Sequence, residues 1–472
     1  MKKLSPLDAA WLYVDSNDTP MHVGSLTIFS LPKTASGDFL QKLFTHLRGS
    51  RSFAAPFNLK LRSAKLKSVM PGWVEDRRID LDYHLRHSAL PKPGGERELG
   101  QLIQRLHSHP MDFNRPLWEC TVIEGLEHNR FALYMKMHHS LVDGVGGMRM
   151  LQRMLSPNPR ARNLPPPWTL GYGGSKRERP TAAQSKLEKL LASARAQVET
   201  APVLSKAFST TLKQAFQHTE PGWTTPFEGP KSILNGRVSG QRRFATQHYD
   251  LTRVKRIAKG AGVSVNDVFL GLCASALRRY LEEIHALPDA PLTAGVPVSV
   301  RPADDDEAAN AISFIIANLN THLADPIERL RAIHDSAQAA KHHLQALPKT
   351  AITNYTMVFM APFILQLLTG LGGKGRPMFN VTISNVPGPL QPLYFNGARM
   401  EQMYPVSLLS HGQSLNITAV SYDGQFNVGI TGCRDTLPSM QRLAVYMGDA
   451  LEEFERVLKL TVKKVKEEAD AG

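Results

Sequence analysis

His138, His139 and Asp143 stand in the run H-H-S-L-V-D-G over residues 138–144. The stretch before it, F-A-L-Y-M-K-M over 131–137, is apolar but for one lysine and reads as a strand buried on both faces. Side chains alternate along a strand, so Leu133, Met135, Met137 and His139 share one face while Tyr134, Lys136 and His138 share the other. Two adjacent histidines at a strand end therefore point apart and cannot grip one metal together. One of them can enter a cavity alone, as a base. Imidazole titrates at about pH 6.5, so such a base is available near neutrality. Asp143 and Gly144 then give a turn, and Met148, Leu151 and Leu155 begin a helical apolar period. A lone histidine in a chain with 17 of them is ordinarily a core residue. The spacing H-H-x-x-x-D-G between a buried strand and a helix is what sets this pair apart.

Other chemistries find no support. There is no G-x-S-x-G elbow and no H-E-x-x-H, Gly373-Lys374 lacks the rest of a Walker A loop, and Gly144 and Gly146 are followed by Arg149 where a dinucleotide fingerprint needs glycine. Cys120, Cys273 and Cys433 are too few and too scattered for a disulfide framework or a structural zinc site, which fits a reducing compartment; no metal is expected. Ser264-Val265-Asn266-Asp267 reads as a capping box ahead of an apolar helix, and that alone accounts for Asp267. Asn266, in the first turn, either belongs to that cap or offers a donor to developing negative charge. His22 reads as structural. Arg301 falls at the end of a strand over 292–300. Arg242-Arg243 and the Lys374–Arg376 segment are either solvated surface or contacts for phosphates. Met135 and Met137, on the His139 face, are either core or the adaptable wall of an apolar channel.

The elements that must position these residues follow from periodicity. Strands are expected over 21–29, 118–123, 242–249, 292–300, 312–323, 378–383, 414–422 and 425–431, with a hairpin turn at Asp423-Gly424. Helices are expected over 38–50, 96–109, 251–259, from 264 onward, over 326–347 and over 438–466. The Pro116-Leu117-Trp118 unit lies on the strand paired with that of His139. Residues 158–179 carry Pro165, Pro166 and Pro167 with several glycines and read as a linker. The chain, 472 residues long, thus divides into a first domain over 1–165, a linker and crossover helix over 166–224, and a second domain over 225–472. The N-terminus has two lysines but no apolar core of a signal peptide. The apolar run 355–371, broken by Pro362, is short for a membrane span and reads as a kinked core helix, a membrane-facing patch or a channel wall. Net charge is +14, which attracts phosphates or anionic lipid. Zinc-finger spacing, an RNP-type aromatic motif and a basic heptad helix are all absent, so no nucleic-acid partner is expected.

The segments L-S-P-L-D-A-A-W-L (4–12), P-M-H-V-G (20–24), R-P-L-W (115–118), H-H-S-L-V-D-G, V-N-D-V (265–268) and S-N-V-P-G-P (384–389) occur in that order along nearly the whole chain. Together they resemble the bacterial wax ester synthase/acyl-CoA:diacylglycerol acyltransferase family, within the coenzyme-A-dependent acyltransferase superfamily. The resemblance implies an α/β, two-domain coenzyme-A-dependent acyltransferase-like fold, mixed sheets flanked by helices with a channel between the domains. It implies fatty acyl-CoA as a donor substrate, no separate cofactor, and a long-chain alcohol or diacylglycerol as acceptor. By matching position His139 is the general base, acting without an acyl-enzyme. Asp143 orients the loop and pairs with an arginine, for which Arg301 is the candidate, and His138, Gly144 and Asp267 support the site. Asn266 is a candidate oxyanion donor. The resemblance also implies a cytoplasmic protein held peripherally at the inner membrane face or on lipid inclusions, and Arg242, Arg243, Lys374 and Arg376 as contacts for the coenzyme A phosphates. Two rival readings remain: a condensation-type acyltransferase fed by a carrier protein, and a non-enzymatic protein that binds a membrane or lipid-droplet surface.

Overall fold

A strand whose two faces are both apolar needs neighbours on both edges and layers on both sides. The computed structural model, which describes residues 4, 6–67, 71–171, 224–299, 312–346, 366 and 370–460, supplies them. In the first half run α1 (Pro6–Val14), β1 (His22–Ser30), α2 (Phe39–Gly49), β2 (Leu59–Leu61), β3 (Trp73–Glu75), α3 (Leu81–His84), β4 (Leu85–Ala89), α4 (Glu96–Ser108), β5 (Trp118–Leu126), β6 (Arg130–His138), α5 (Gly144–Met154) and α6 (Pro167–Leu170). The histidine-bearing strand is β6. It lies between β1, in register His22↔His138, and β5, in register Trp118↔Met137, both antiparallel to it. Its odd face (Phe131, Leu133, Met137) packs on Leu43 and Leu47 of α2, Met148 and Leu151 of α5 and Trp168 of α6. Its even face (Ala132, Tyr134) packs on Leu99 and Ile103 of α4.

The second half contains β7 (Arg242–Asp250), α7 (Leu251–Ala261), α8 (Val265–Glu283), β8 (Thr293–Ser299), β9 (Ile312–Asn318), α9 (Pro326–Ala346), β10 (Val381–Pro387), β11 (Tyr394–Phe395), β12 (Ala398–Val406), β13 (Leu415–Tyr422), β14 (Gln425–Cys433) and α10 (Arg442–Val457). Its sheet runs β7-β14-β13-β10-β8-β9, with β8, β10 and β13 parallel and the rest antiparallel. Helix α8 is buried on every side from Asp267 to Leu277, with Val268, Phe269, Leu270, Leu272 and Leu277 fully enclosed between α9, α10 and the sheet. The turn between β13 and β14 takes left-handed backbone at Asp423 (φ 44°) and Gly424 (φ 76°), the expected hairpin.

One long strand changes sides, with a two-residue strand beside it. The first sheet runs β11-β12-β1-β6-β5-β4, so β11 and β12, from the far end of the chain, close it, with Gly24 opposite Val406. No strand over 398–406 was evident from the pattern A-R-M-E-Q-M-Y-P-V. A division of the chain at 165 and 225 puts these residues in the second half, whereas their backbone pairs with β1 in the first. β14 passes β12 so closely that a Cβ on Gly429 would fall 2.0 Å from the Pro405 carbonyl oxygen. The mixed two-sheet α/β architecture flanked by helices is therefore as expected, joined by an exchanged strand. Arg301, residues 172–223 of the expected linker and most of 355–371 lie outside the described residues. Among those described, no single helix is long and apolar enough to cross a membrane.

Candidate active site

The last rungs of the first sheet fix the histidine pair from both sides. His138 N–H donates to the Leu117 carbonyl (3.0 Å), in the Pro-Leu-Trp unit, and His139 N–H donates to the Met21 carbonyl (2.8 Å), beside β1. The two rings diverge into different surroundings. His138 is buried, edge-on to Phe113 at 5.7 Å. Its Nδ1 accepts the Ser140 amide (3.2 Å) and the Ser140 hydroxyl (2.7 Å). A ring nitrogen that accepts a backbone N–H carries no proton, so the proton of the neutral ring is on Nε2. That atom stands 3.5 Å from Asp15 Oδ2.

Asp15 ties this corner together. Its Oδ2 accepts the Met21 N–H (2.8 Å), and its Oδ1 accepts from Lys67 Nζ (2.8 Å). Burial acts to raise the Asp15 carboxyl, but His138 and Lys67 outweigh it and hold the group below its ordinary value. Asp15 therefore holds Met21 by its N–H, and Met21 holds His139 by its carbonyl.

His139 is half-buried, with its ring centroid 4.3 Å from that of Trp11 on α1. Its Nδ1 is buried without a hydrogen-bond partner among the described residues. Burial pushes the imidazole down to about 4, against the opposing charge of Asp143. At neutral pH the ring is therefore uncharged, as a base must be. Asp143 caps α5, its Oδ1 accepting the Gly146 N–H at 2.6 Å, and so fixes the loop that leaves His139. Gly144 is the exposed first residue of that helix.

The methionines on the same face of β6 differ. Met137 is core. Met135 lines a small apolar cavity with Leu133, Cys120, Met154, Trp168 and Phe395. His139 lies in the turn just past the end of β6, four residues from Met135, or about 13 Å of extended chain. Behind β6, Lys136 is wholly buried. It donates to the Leu106 and His109 carbonyls (3.0 Å each) at the end of α4 and pairs with Glu119 (3.0 Å). His22 is structural as expected: fully buried, with Nε2 donating to the His107 carbonyl at 2.7 Å.

Asp267 forms the capping box, accepting Ser264 N–H at 2.9 Å while its own N–H donates to Ser264 Oγ at 3.2 Å. It also accepts from His334 Nδ1 on α9 at 2.7 Å, a contact between elements that local sequence does not announce. The neighbouring Asn266 side chain is half-buried and makes no hydrogen bond to a described residue. Arg242 departs from the expected phosphate contact. It is 2% exposed, and its guanidinium donates to the Ser239 and Asp18 carbonyls, so it ties β7 to the segment after α1. Arg243 is half-buried with Nε unpartnered, Lys374 is exposed, and Arg376 is exposed with long contacts (3.4 Å) to the Glu228 and Gly229 carbonyls. Asp15, Trp11, Lys67 and His334 are the site neighbours that sequence reasoning missed; no local spacing marks them.

Two six-stranded sheets, the first completed by strands from the second half of the chain, with a histidine pair at the end of a central strand, define a condensation-domain fold. The chain matches the first condensation domain of the CDA synthetase with a TM-score of 0.53 at 14% identity, over 97% of this chain and 95% of that one, a likeness of fold alone. The chain belongs to the wax ester synthase/diacylglycerol acyltransferase family: the catalytic-domain model of that family matches residues 4–269, and the WS/DGAT C-terminal domain model matches 308–455. It is 41% identical to a wax ester synthase/diacylglycerol acyltransferase from Marinobacter aquaeolei VT8, whose solved structure it matches with a TM-score of 0.80 over 98% of this chain and 100% of that one. It is likewise 41% identical to the O-acyltransferase WSD of Acinetobacter baylyi, over 97% of this chain and 98% of that protein.

Proposed function

We propose that this protein is an O-acyltransferase that moves a long-chain fatty acyl group from acyl-CoA to a long-chain alcohol or to diacylglycerol. The observation that carries this reading is His139: an uncharged imidazole with an unpartnered buried Nδ1, in the turn that follows β6. The names of the relatives, wax ester synthase and diacylglycerol acyltransferase, support the substrate pair.

The acceptor hydroxyl approaches the thioester carbonyl beside His139. As the new C–O bond forms, the hydroxyl becomes acidic and its proton passes to the imidazole. The carbonyl oxygen becomes an oxyanion, for which Asn266 and backbone N–H groups are the candidate donors. The intermediate collapses, the C–S bond breaks, and the thiolate of coenzyme A leaves with the proton from the imidazolium. Ester and free coenzyme A are the products, and no acyl-enzyme forms. Asp143 and Gly144 position the loop after His139, and Asp267 fixes the helix that carries Asn266. Lys374 and Arg376, both exposed, are the candidate contacts for the donor's phosphates, and the net charge of +14 suits a peripheral position on an anionic inner membrane face or on lipid inclusions.

The test is thiol release from palmitoyl-CoA with hexadecanol and with dipalmitoylglycerol, run in parallel. Release that depends on acceptor is expected. If no acyl-CoA yields free thiol with any acceptor, the reading fails in favour of a carrier-fed condensation reaction. Sedimentation with phosphatidylglycerol vesicles tests the surface: vesicle binding without turnover would favour a purely lipid-binding protein.

A further inference from the structure

The second sheet has one aliphatic face and one mixed face. Ile383 of β10 and Leu415, Ile417 and Ala419 of β13 point into the core shared with α8, α9 and α10. Side chains alternate along a strand, so the residues between them face the first half of the molecule. Those residues change character along the strands. At one end Val386 and Val420 pack into the core of the first half. Then come Ser384 and Thr418, opposite each other, and after them Thr382 and Asn416.

The polar end is the histidine end. β14 follows β12, with Gly429 against Pro405 and Thr431 Oγ1 accepting the Ser407 N–H at 3.1 Å. β14 pairs Asn427 with Val420 and Thr431 with Asn416, so Asn416 stands at the level of Ser407. β12 in turn climbs β1 from Met403, opposite Thr27, to Val406, opposite Gly24, toward the rung that joins His22 to His138. Ser407 is thus level with Val23, while the His139 N–H donates to the Met21 carbonyl on the other edge of the same strand line. Two strand spacings and two residue steps separate the backbones of Ser407 and His139, about 12 Å.

Three side chains at this end form a hydrogen-bonded chain. Thr418 Oγ1 donates to Asn416 Oδ1 at 2.8 Å, so its hydroxyl accepts from Ser407 Oγ at 3.2 Å. The half-buried Asn416 carboxamide is held by its oxygen, and its Nδ2, with two N–H bonds, makes no hydrogen bond to a described residue. A donor fixed by its other end needs no reorganisation to meet a negative oxygen.

We infer that Asn416 Nδ2–H donates to the oxyanion formed from the thioester carbonyl, with Thr418 and Ser407 as positioning residues. The inference rests on the acyl-transfer reading above and adds to it a donor from the second half. Asn266 belongs to α8, which packs on the other face of this sheet. As the acceptor oxygen bonds to the thioester carbon, the C=O π pair moves onto the carbonyl oxygen, where Asn416 stabilises it. The pair returns as the C–S bond breaks, and Asn416 neither gains nor loses a proton.

Kinetics of thiol release from palmitoyl-CoA with hexadecanol, beside inhibition by the ketone S-(2-oxoheptadecyl)-coenzyme A, test this. The ketone keeps a carbonyl and the acyl chain but has no leaving group, so it reports ground-state binding. Asn416→Ala and Asn416→Asp should each lower kcat about 10²–10³-fold, with KM and the ketone inhibition constant within about twofold of wild type. Asn416→Asp keeps the side-chain size and the acceptor for Thr418, so its loss of kcat at an unchanged thermal midpoint separates a missing donor from a missing fold. Thr418→Val should lower kcat about tenfold, and Thr418→Ser should restore it. Wild-type turnover with an unchanged kcat in Asn416→Ala overturns the inference alone. So does a rise in KM and in the ketone constant with kcat retained, which would make Asn416 a binding group. A wild type that releases no thiol from any acyl-CoA overturns the acyl-transfer reading and the inference with it.

Discussion

At the scale of single residues, His139 has one free nitrogen task and its neighbours have the task of aiming it. Replacing it by alanine should lower acceptor-dependent thiol release by about 10²–10⁴, with the far-ultraviolet dichroism of the wild type retained. Because burial holds the ring at about 4, the acid limb of kcat/KM should bend near that value and well below the 6.5 of free imidazole. A limb centred at or above 6.5 would mean that water reaches the ring in the working enzyme. Asp15 acts at one remove, through His138 and through Met21. Asp15→Asn keeps the acceptor for Met21 N–H but loses the charge beside His138 and Lys67. It should cut kcat about tenfold with little change in KM, the mark of a misplaced base and not of lost substrate binding. A proportionate rise in KM would move Asp15 from positioning to binding. The sequence makes the histidine pair legible because its spacing is local. Asp15, Trp11 and Lys67 are chosen by how α1 and the segment after β2 fold back over β6, which no spacing within any one of them encodes.

At the scale of elements, the same divide separates what periodicity reveals from what only packing decides. β6 and α8 declare themselves: one is flanked and covered on every side, the other is buried on every side from Asp267 to Leu277, and both write that burial into an apolar run. β12 does not. It carries Glu401, Gln402 and Pro405 and is bordered on its outer side only by the two-residue β11, so nothing demands a clean alternation. Its partner β1 lies almost four hundred residues earlier, a pairing invisible to local reading. The strand exchange instead leaves its mark at Gly429, where β14 needs a residue without a side chain. Gly429→Ala should destabilise the fold by about 1–3 kcal/mol, measured as a lowered urea midpoint; an unchanged midpoint would show that the two strands can part freely. Asp267 makes the parallel case for a helix. Asp267→Ala removes the side-chain half of the capping box, leaving the Ser264 N–H without its acceptor, and strands His334, so α8 should lose about 1–3 kcal/mol, while Asp267→Asn keeps the acceptor and should lose less.

At the scale of the whole molecule, one of the polar groups that join the halves is a histidine kept neutral, within a set of buried neutral histidines. His107 joins three elements: Nε2 meets the Ser407 carbonyl beyond β12, Nδ1 meets the Tyr134 hydroxyl on β6, and its carbonyl accepts from His22 on β1. Burial drives His107 down to about 3 and His22 well below 6.5, and it lowers His84 and His139 as well. Each of these is protonated in the unfolded chain before it is in the folded one. Between the free value near 6.5 and the depressed folded values, the unfolded state therefore binds more protons, and stability must fall as pH falls. Every histidine in this condition contributes about 1.4 kcal/mol per pH unit within its window, and the net charge of +14 grows in the same direction, adding self-repulsion. The urea midpoint should accordingly drop steeply from about pH 6.5 to about pH 4.5, before the carboxylates begin to titrate in earnest. His107→Gln should be less stable at neutral pH, because the Tyr134 and Ser407 contacts are weakened, yet show a shallower acid slope, because one of the titrating groups is gone. A wild-type midpoint that stays level across that interval would mean that these rings are solvated in the folded chain, and the join between the two halves would rest on the exchanged strand and on contacts such as those of Arg242 with Asp18 and Ser108.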